Sequence, residues 1–319
     1  MKLTPIKDYQ ENSAVQGFVL CLEKHLRTTK AGDYYLDLVL QDATGRIHGK
    51  VWDNVDHFHN QFESGDAIAV KGVVEKYHDI LQLNCTHVAK ATKERYSRYG
   101  FREELLIPSI EEDPRELWDT LRVLISGVKN KPLKRLLRHI FKTHKESVLV
   151  LPGSVSHHHP ERGGFLLHLV STGGLAVRLA EHYPRIDKDL LVAGVLLHDI
   201  GKFRGISTEL QGGYTEAGQL MGHVVLGRDI LLEAIHEIGD FPTELTTRLE
   251  HILLAHHGSP KDGSPRPPKF PEALLTHFID TLDGRLDLMF RELNSDDSDQ
   301  PFTNTRNHFR TSLWKNYRQ

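Results

Sequence analysis

An apolar helix that ends in a histidine and an aspartate restricts the fold of this chain more than any other feature. Residues 190–197 form a run without a charged side chain, and the string His-Asp-Ile-Gly-Lys follows at residues 198–202. Two unpaired polar side chains at the end of a buried helix would be energetically unfavourable. A bound cation would offset that penalty, so the sequence predicts a metal site at the end of a core helix.

Further metal-ligand candidates follow the same pattern. The chain has 21 histidines, 15 of them after residue 138, and histidine is the commonest metal ligand. Four other helical stretches carry a histidine or aspartate inside or at the end of an apolar segment. The predicted ligands are His168, His198, Asp199, His223, His256, His257 and Asp280.

The number of these ligands indicates the kind of site. Five imidazoles and two carboxylates are too many for one closed tetrahedral zinc. They fit two ions that share a carboxylate, and such a pair, about 3.5–4 Å apart, activates water and stabilises a phosphoryl displacement. Nitrogen and oxygen ligands without thiolates suit manganese, iron or zinc better than calcium.

The first third of the chain has a different periodicity. Residues 16–91 alternate apolar and polar side chains, as in Tyr34, Leu36, Leu38 and Leu40, which predicts strands. A helix over residues 55–62 separates the third strand from the fourth. Five strands in this order are typical of an OB-fold barrel.

One surface of this barrel carries aromatic and basic side chains. His48, Lys50 and Trp52 share a face of the third strand, and Tyr35 lies beside them on the second. OB-folds bind single strands with stacking aromatics and a positive groove, so these four residues are predicted nucleic-acid contacts. Residues 1–92 have a net charge of −2. The alternative interpretation is therefore that these four are ordinary outward-facing residues of a barrel that contacts proteins.

The middle of the chain is its basic part. Residues 93–145 carry 13 Lys and Arg against 8 Asp and Glu, so a polyanion could approach there. The predicted contacts, Lys134, Arg135 and Arg138, lie on a helix over residues 131–145. A solvated helix face is the alternative.

Composition and periodicity together predict a multidomain protein. An all-β OB-fold barrel at residues 1–92 is followed by a linker and connecting helix at 93–130, which starts at the cap Asp113-Pro114, and by an all-α domain at 131–319. The predicted helices after Gly163 are 165–182, 187–198, 219–238, 243–257, 271–293 and 303–314.

Two classes of protein are excluded by the same sequence. The longest apolar run is too short to span a bilayer, and the first residues lack the apolar stretch of a signal peptide. We therefore expect a cytoplasmic protein that does not enter a membrane. Cys21 and Cys85 cannot form a disulfide framework and are expected to be buried.

The ordered ligands give the chain a family resemblance. With His168, His198-Asp199 and Asp280 it resembles the HD-domain metal phosphohydrolases, and the other three histidines are similar to their binuclear branch. The resemblance implies an all-α HD domain in which one ion takes His168, His198, Asp199 and Asp280. The second ion takes His223, His256 and His257, and Asp199 bridges the two. Lys202 would contact substrate phosphate, and Gly164, where some members carry a third-metal glutamate, implies two ions.

The whole architecture resembles the YhaM-type 3′→5′ exoribonucleases, also described as CMP-binding factors. The similar stretches are residues 183–199, 254–258, 263–268 and 277–283. The resemblance implies 3′→5′ hydrolysis of single-stranded RNA, and also allows single-stranded DNA, to nucleoside 5′-monophosphates. Manganese is favoured over iron, cobalt or zinc, and a homo-oligomer is left open. The three histidines 157–159 depart from the family pattern, and we expect them in a surface loop.

The predicted catalytic residues are Asp199 and Lys202.

Two other functions are alternatives to the exonuclease. The first is an HD phosphohydrolase acting on a small nucleotide or a cyclic dinucleotide. It would not need an OB barrel, and the cyclic-dinucleotide signature Gly-Tyr-Pro is replaced by Gly258-Ser259-Pro260. The second is a non-catalytic nucleic-acid-binding factor with structural metals, which the complete ligand set disfavours.

Overall fold

A computed structural model describes residues 3–155, 157–296 and 298–316. The chain divides into two compact units. The first runs to Ser109 and includes the segment Thr208–Gly212, and the second contains Ile110–Ser207 and the residues from Gly213 onward. Within the part of the chain that the structure describes, no helix has both the length and the apolar character needed to cross a membrane.

The first unit is a closed β-barrel. Its strands in the described residues are β1 (Ala14–Thr28), β2 (Tyr34–Asp42), β3 (Gly45–Val51), β4 (Ala67–Tyr77) and β5 (Ile80–Lys90), and helix α1 (Val55–His59) lies between β3 and β4. The order around the barrel is β1-β2-β3-β5-β4. Only the β3–β5 pair is parallel among these strands. This confirms the OB-fold predicted from the strand order.

The alternating pattern of β2 explains how the barrel fills its core. Leu36, Leu38 and Leu40 are fully buried, while the residues between them are only partly covered. Cys21 and Cys85 are buried in the same core, as expected. Burial raises the pKa of both thiols to about 12, so both are protonated at neutral pH.

The segment after the barrel packs back onto it. Helix α2 (Lys93–Tyr96) and 3₁₀ turns at Ser97–Tyr99 and Glu103–Leu105 follow β5. The ring of Phe18 on β1 contacts Tyr96 and Phe101 edge-on, with centroids 5.6 and 5.1 Å apart. Residues 93–109 therefore belong to the first unit.

The second unit is helical. Its described helices are α3 (Pro114–Gly127), α4 (Lys131–Thr143), α5 (Lys145–Val150), α6 (Gly164–His182), α7 (Lys188–Leu197), α8 (Lys202–Gly205), α9 (Glu216–Ile238), α10 (Thr243–Ala255) and α11 (Pro271–Ser295). The carboxylate of Asp113 accepts from the backbone N–H of Arg115 at 2.8 Å, which confirms the predicted cap of α3. Every residue of α7 after its first turn is buried.

The predicted helix at 303–314 is wrong. Phe302 and Trp314 form an antiparallel bridge, and the N–H of Thr303 donates to the carbonyl of Leu313 at 2.9 Å. The side-chain amide of Asn307 donates to the carbonyl of Thr311 at 2.7 Å. Asparagine side chains that bond nearby backbone groups compete with a helix, and apolar spacing alone did not reveal this competition.

Glycines allow α8 and α9 to approach closely. A Cβ at Gly201 would lie 1.8 Å from the carbonyl oxygen of His223 and 2.5 Å from the amide nitrogen of Gly227. Both atoms are backbone, so no side-chain rotation relieves the clash. Gly201 therefore determines how near α9 lies to the end of α7.

We expect Gly201→Ala to lower the free energy of unfolding by about 1–3 kcal/mol, because the added methyl group separates two backbones. Gly174→Ala on α6 is the matched control. A Cβ at Gly174 meets nothing within 4 Å, so the better helix propensity of alanine should stabilise by about 0.5–1 kcal/mol. Urea unfolding followed by circular dichroism measures both, and equal effects would contradict this packing.

Candidate metal centre

The helical unit brings all seven predicted metal ligands together. His168 lies just after the first turn of α6, and His198 and Asp199 follow the last residue of α7. His223 lies on α9, His256 and His257 follow α10, and Asp280 lies on α11.

Local breaks in the helices orient two of these ligands. Helix α9 is interrupted at Gly222, which has φ 74° and ψ 158°. Glycine adopts this conformation without the penalty of a Cβ. The helix restarts at His223, so the imidazole is presented from the first turn of a new helical segment. Gly258, with φ 85°, follows the His256-His257 pair in the same way.

The first group of donors surrounds the Nε2 atom of His198. It lies 3.3 Å from His168 Nε2 and 3.5 Å from Asp280 Oδ1. It also lies 3.3 Å from Asp199 Oδ2. The distance between His168 Nε2 and Asp280 Oδ1 is 3.4 Å.

The second group surrounds the Nε2 atom of His223. It lies 3.4 Å from His256 Nε2 and 3.2 Å from His257 Nε2. Asp199 Oδ1 lies 3.4 Å from His223 Nε2 and 3.8 Å from His256 Nε2. Asp199 therefore directs one carboxylate oxygen to each donor group.

These spacings fit divalent ions. Ligand atoms at about 2.1 Å from one tetrahedral ion lie about 3.4 Å apart. The histidines are also held in the orientation that binding requires. The Nδ1 groups of His198 and His256 donate to the carbonyls of Val195 and Leu253, at 2.6 and 2.8 Å. Each bond leaves the Nε2 lone pair directed at the donor group.

The electrostatics favour a cation as well. Burial would raise the pKa of Asp199, but Lys202 and His198 outweigh it and hold that pKa well below its usual range. Burial opposes protonation of His198, yet Asp199 and Asp280 raise the pKa of this imidazole to about 10. The carboxylates of Asp199 and Asp280 are thus stabilised by nearby positive charge, which a divalent ion would supply.

The histidines of the second group stay neutral at pH 7. Burial is the main cause, and it lowers the pKa of His223 to about 4 and that of His256 well below its usual range. Neutral imidazoles keep the lone pair that a metal ion needs.

Lys202 is buried beside the same carboxylate. Its ammonium group donates to Asp199 Oδ2 and to the carbonyl oxygen of Gly153. These two bonds hold a positive charge at a defined place in the wall of a cavity of about 400 Å³. Other residues of this wall include Asp199, His223, His257, Asp280, His158 and Tyr214.

Asp283 is a residue that the sequence analysis missed. Its Oδ2 accepts from Nδ1 of His168 at 2.8 Å and from Nε2 of His159 at 2.9 Å, and Ser171 donates to its other oxygen. Asp283 therefore orients His168. Its position one helical turn after Asp280 is a signal that could have revealed it.

The expected surface loop at residues 157–159 is wrong for two of its histidines. His159 is only 9% exposed, and His158 lines the metal-centre cavity. Sequence alone did not reveal this because the carboxylates that bind His159 lie more than 120 residues away, on α11.

The barrel face also gathers its predicted residues. Tyr35, His48, Lys50 and Trp52 line one cavity of about 450 Å³. The rings of Tyr35 and Trp52 stack with centroids 4.6 Å apart, and the Lys50 ammonium lies 5.3 Å from the Tyr35 centroid. Tyr77, the last residue of β4, adds a largely exposed side chain to the same cavity. Lys50 is also paired with Asp37 at 2.6 Å, which reduces the positive charge of this face.

The basic residues of α4 differ in their surroundings. Arg135 donates to the carbonyls of Gly239 and Asp240, at 2.6 and 2.8 Å, so its guanidinium holds the end of α9. Lys134, on the same helix, is half-buried. Arg138 lines a groove of about 880 Å³ with Trp118, Arg122, Lys142 and Lys145.

We expect Asp283→Asn to weaken metal binding about 10- to 100-fold, because an amide cannot hold the Nδ1–H of His168 as a carboxylate does. Titration calorimetry with Mn²⁺ measures the affinity. Asp262→Asn, in an exposed turn where the carboxylate bonds Ser259, is the control. An unchanged affinity in Asp283→Asn would show that Asp283 does not position His168.

Comparison with known proteins agrees with both units. Residues 165–285 match the HD domain family, and residues 21–91 match the OB-fold nucleic acid binding domain family. The 3′-5′ exoribonuclease YhaM of Bacillus subtilis strain 168 is 34% identical over 263 residues, which is 82% of each chain. The YhaM protein of Halalkalibacterium halodurans is 30% identical over 89% of this chain and 88% of its own.

Similarity of this extent spans both units rather than one domain. The YhaM protein of Bacillus licheniformis is likewise 33% identical over 82% of each chain. The match therefore includes both the barrel and the helical unit that carries the seven candidate ligands. The chain belongs to the YhaM family of 3′-5′ exoribonucleases.

Proposed function

We propose that this protein is a metal-dependent exoribonuclease that degrades single-stranded RNA from the 3′ end to nucleoside 5′-monophosphates. The observation that carries the proposal is the carboxylate of Asp199, whose two oxygens lie 3.3 and 3.4 Å from histidines of two different groups. The direction of degradation is taken from the YhaM relatives. Activity on single-stranded DNA and a cytoplasmic location are parts of the same proposal.

The proposed site would hold two divalent ions. Manganese is favoured over iron, cobalt or zinc. One would take His168, His198, Asp199 and Asp280, and the other would take His223, His256, His257 and the second oxygen of Asp199. The chemistry that such a pair supplies is polarisation of the phosphodiester and activation of a water.

The residues of the cavity account for the rest of the reaction. Lys202 places a fixed positive charge beside Asp199, where it would stabilise the negative charge that develops on the phosphate oxygens. A volume of about 400 Å³ suits a small ligand rather than a long strand. One terminal nucleotide at a time would enter, which favours mononucleotide products.

The barrel would bind the strand away from the reacting end. The stacked pair Tyr35 and Trp52 offers a π-face, and Trp52 is 43% exposed. Bases of any identity stack on such side chains. Lys50 and His48 complete this face, and Lys134, Arg135 and Arg138 on α4 are proposed as further contacts. Arg138 is exposed, whereas Arg135 already donates to two backbone carbonyls.

The decisive experiment is a time course on 5′-labelled and 3′-labelled single-stranded RNA with Mn²⁺. We expect a 5′-labelled ladder that shortens stepwise and immediate release of a labelled mononucleotide from the 3′ end. A variant with His198→Ala and Asp199→Ala should be inactive. Intact RNA with every divalent metal would overturn the proposal and direct attention to small nucleotides.

We expect Trp52→Ala to raise the KM for a 20-nucleotide RNA by about 5- to 150-fold, the equivalent of one lost base stack. Hydrolysis of a dinucleotide should be unchanged, because a dinucleotide has no further upstream bases that could stack on Trp52. Steady-state kinetics on the two substrates separate the effects. Tyr183→Ala, which removes an exposed aromatic from the helical unit, is the control, and an equal KM effect there would contradict a specific stack on Trp52.

A further inference from the structure

Internal hydrogen bonds connect the described residues of the loop before α6. The N–H of Gly153 donates to the carbonyl of His159 at 2.7 Å, and Ser154 Oγ donates to the carbonyl of His158 at 3.0 Å. The N–H of His157 donates back to Ser154 Oγ at 2.7 Å. These contacts determine where each of the three histidines points.

His159 attaches this loop to α11. Its N–H donates to Asp287 Oδ2 at 2.8 Å, and its Nε2 lies 2.9 Å from Asp283 Oδ2. The residue has φ 44°, a left-handed conformation that is uncommon for a residue other than glycine. Such a conformation persists where surrounding contacts enforce it, and it often marks a functional site.

His158 is thereby directed into the metal-centre cavity. Its ring centroid lies 5.1 Å from that of His168. The ring packs against Gly284 of α11, where a Cβ would lie only 3.2 Å from the His158 Cγ and Nδ1 atoms. The absence of a side chain at Gly284 leaves the space that the imidazole fills.

The Nε2 atom of His158 is buried and has no hydrogen-bond partner among residues 3–155, 157–296 and 298–316. A buried polar atom without a partner is unfavourable. A neutral imidazole has a lone pair on one ring nitrogen, which can bind a metal ion. The Nε2 atom of His158 is therefore suited to binding a metal ion.

The neighbours of His158 indicate which ligand this is. Ligand atoms of His158, His168 and Asp280 all lie within 4.8 Å of one another. Donors on opposite sides of one ion are separated by about 4–5 Å, so the three can share an ion. A phosphate at the same place would be repelled by the carboxylate of Asp280, so the set favours a cation over substrate.

We propose that His158 is an additional ligand of the divalent ion that His168 and Asp280 hold. The inference rests on the metal binding in the proposed function and deepens it. With His198 and Asp199, this ion then has five protein ligands and one remaining position for water or substrate. Six-coordination is more typical of manganese or iron than of tetrahedral zinc.

The test is direct Mn²⁺ binding by the full-length protein, measured by calorimetry and by metal analysis after equilibrium dialysis. We expect two ions in the wild type and a 10- to 100-fold weaker affinity for one of them in His158→Ala. His158→Glu should restore tight binding, because a carboxylate also binds manganese. His157→Ala, in the same loop, should bind both ions as the wild type does, and circular dichroism checks that each variant is folded.

Unchanged Mn²⁺ affinity in a folded His158→Ala would overturn the inference, and so would a loss that His158→Glu does not restore. A raised KM for RNA with both ions retained would also overturn it, since His158 would then contact substrate. A wild type that binds two ions and cleaves no RNA would overturn the proposed function but not the inference about His158. In that case the dialysis of His158→Ala still decides the role of His158.

Discussion

The carboxylate of Asp199 is the group on which the organisation of the helical unit depends. It is 2% exposed and follows directly after a buried helix, and its two oxygens lie close to two different sets of imidazoles. A charge at this depth needs compensation from several directions. Lys202 supplies one positive charge. The helices that surround Asp199 supply imidazole nitrogens and a second carboxylate, which are suited to binding cations. The convergence of these helices follows from that requirement.

Precision in this site comes from contacts behind the ligands. Backbone carbonyls hold the Nδ1 groups of His198 and His256, and Asp283 holds that of His168. Gly201 permits the close approach of the helix that carries His223. Supporting groups of this kind restrict ring orientation and so make donor positions reproducible. The loop that ends at His159 is fastened to the same helix as Asp283, which connects the cavity wall to the ligand set.

Much of the architecture could be predicted because its signals are local. Alternation at Leu36, Leu38 and Leu40 indicated a strand with one buried face, and the position of α1 between the third and fourth strands indicated the OB-fold. The helix predicted at 303–314 was wrong because this prediction used the same local signal. Apolar spacing does not indicate side-chain hydrogen bonds such as those of Asn307. Local pattern predicts burial well, but it predicts hydrogen-bond partners poorly.

Residue patterns alone predicted the two fold classes, their order and the seven candidate metal ligands, because periodicity and ligand chemistry can be read from neighbouring residues. Tertiary structure was needed to show that Asp199 directs its oxygens to two donor groups, that His158 enters the cavity and that Arg135 holds the end of α9. Each of these depends on a contact between residues far apart in the chain. Such contacts are settled by how helices pack around a buried charge, and no local pattern in the sequence encodes them.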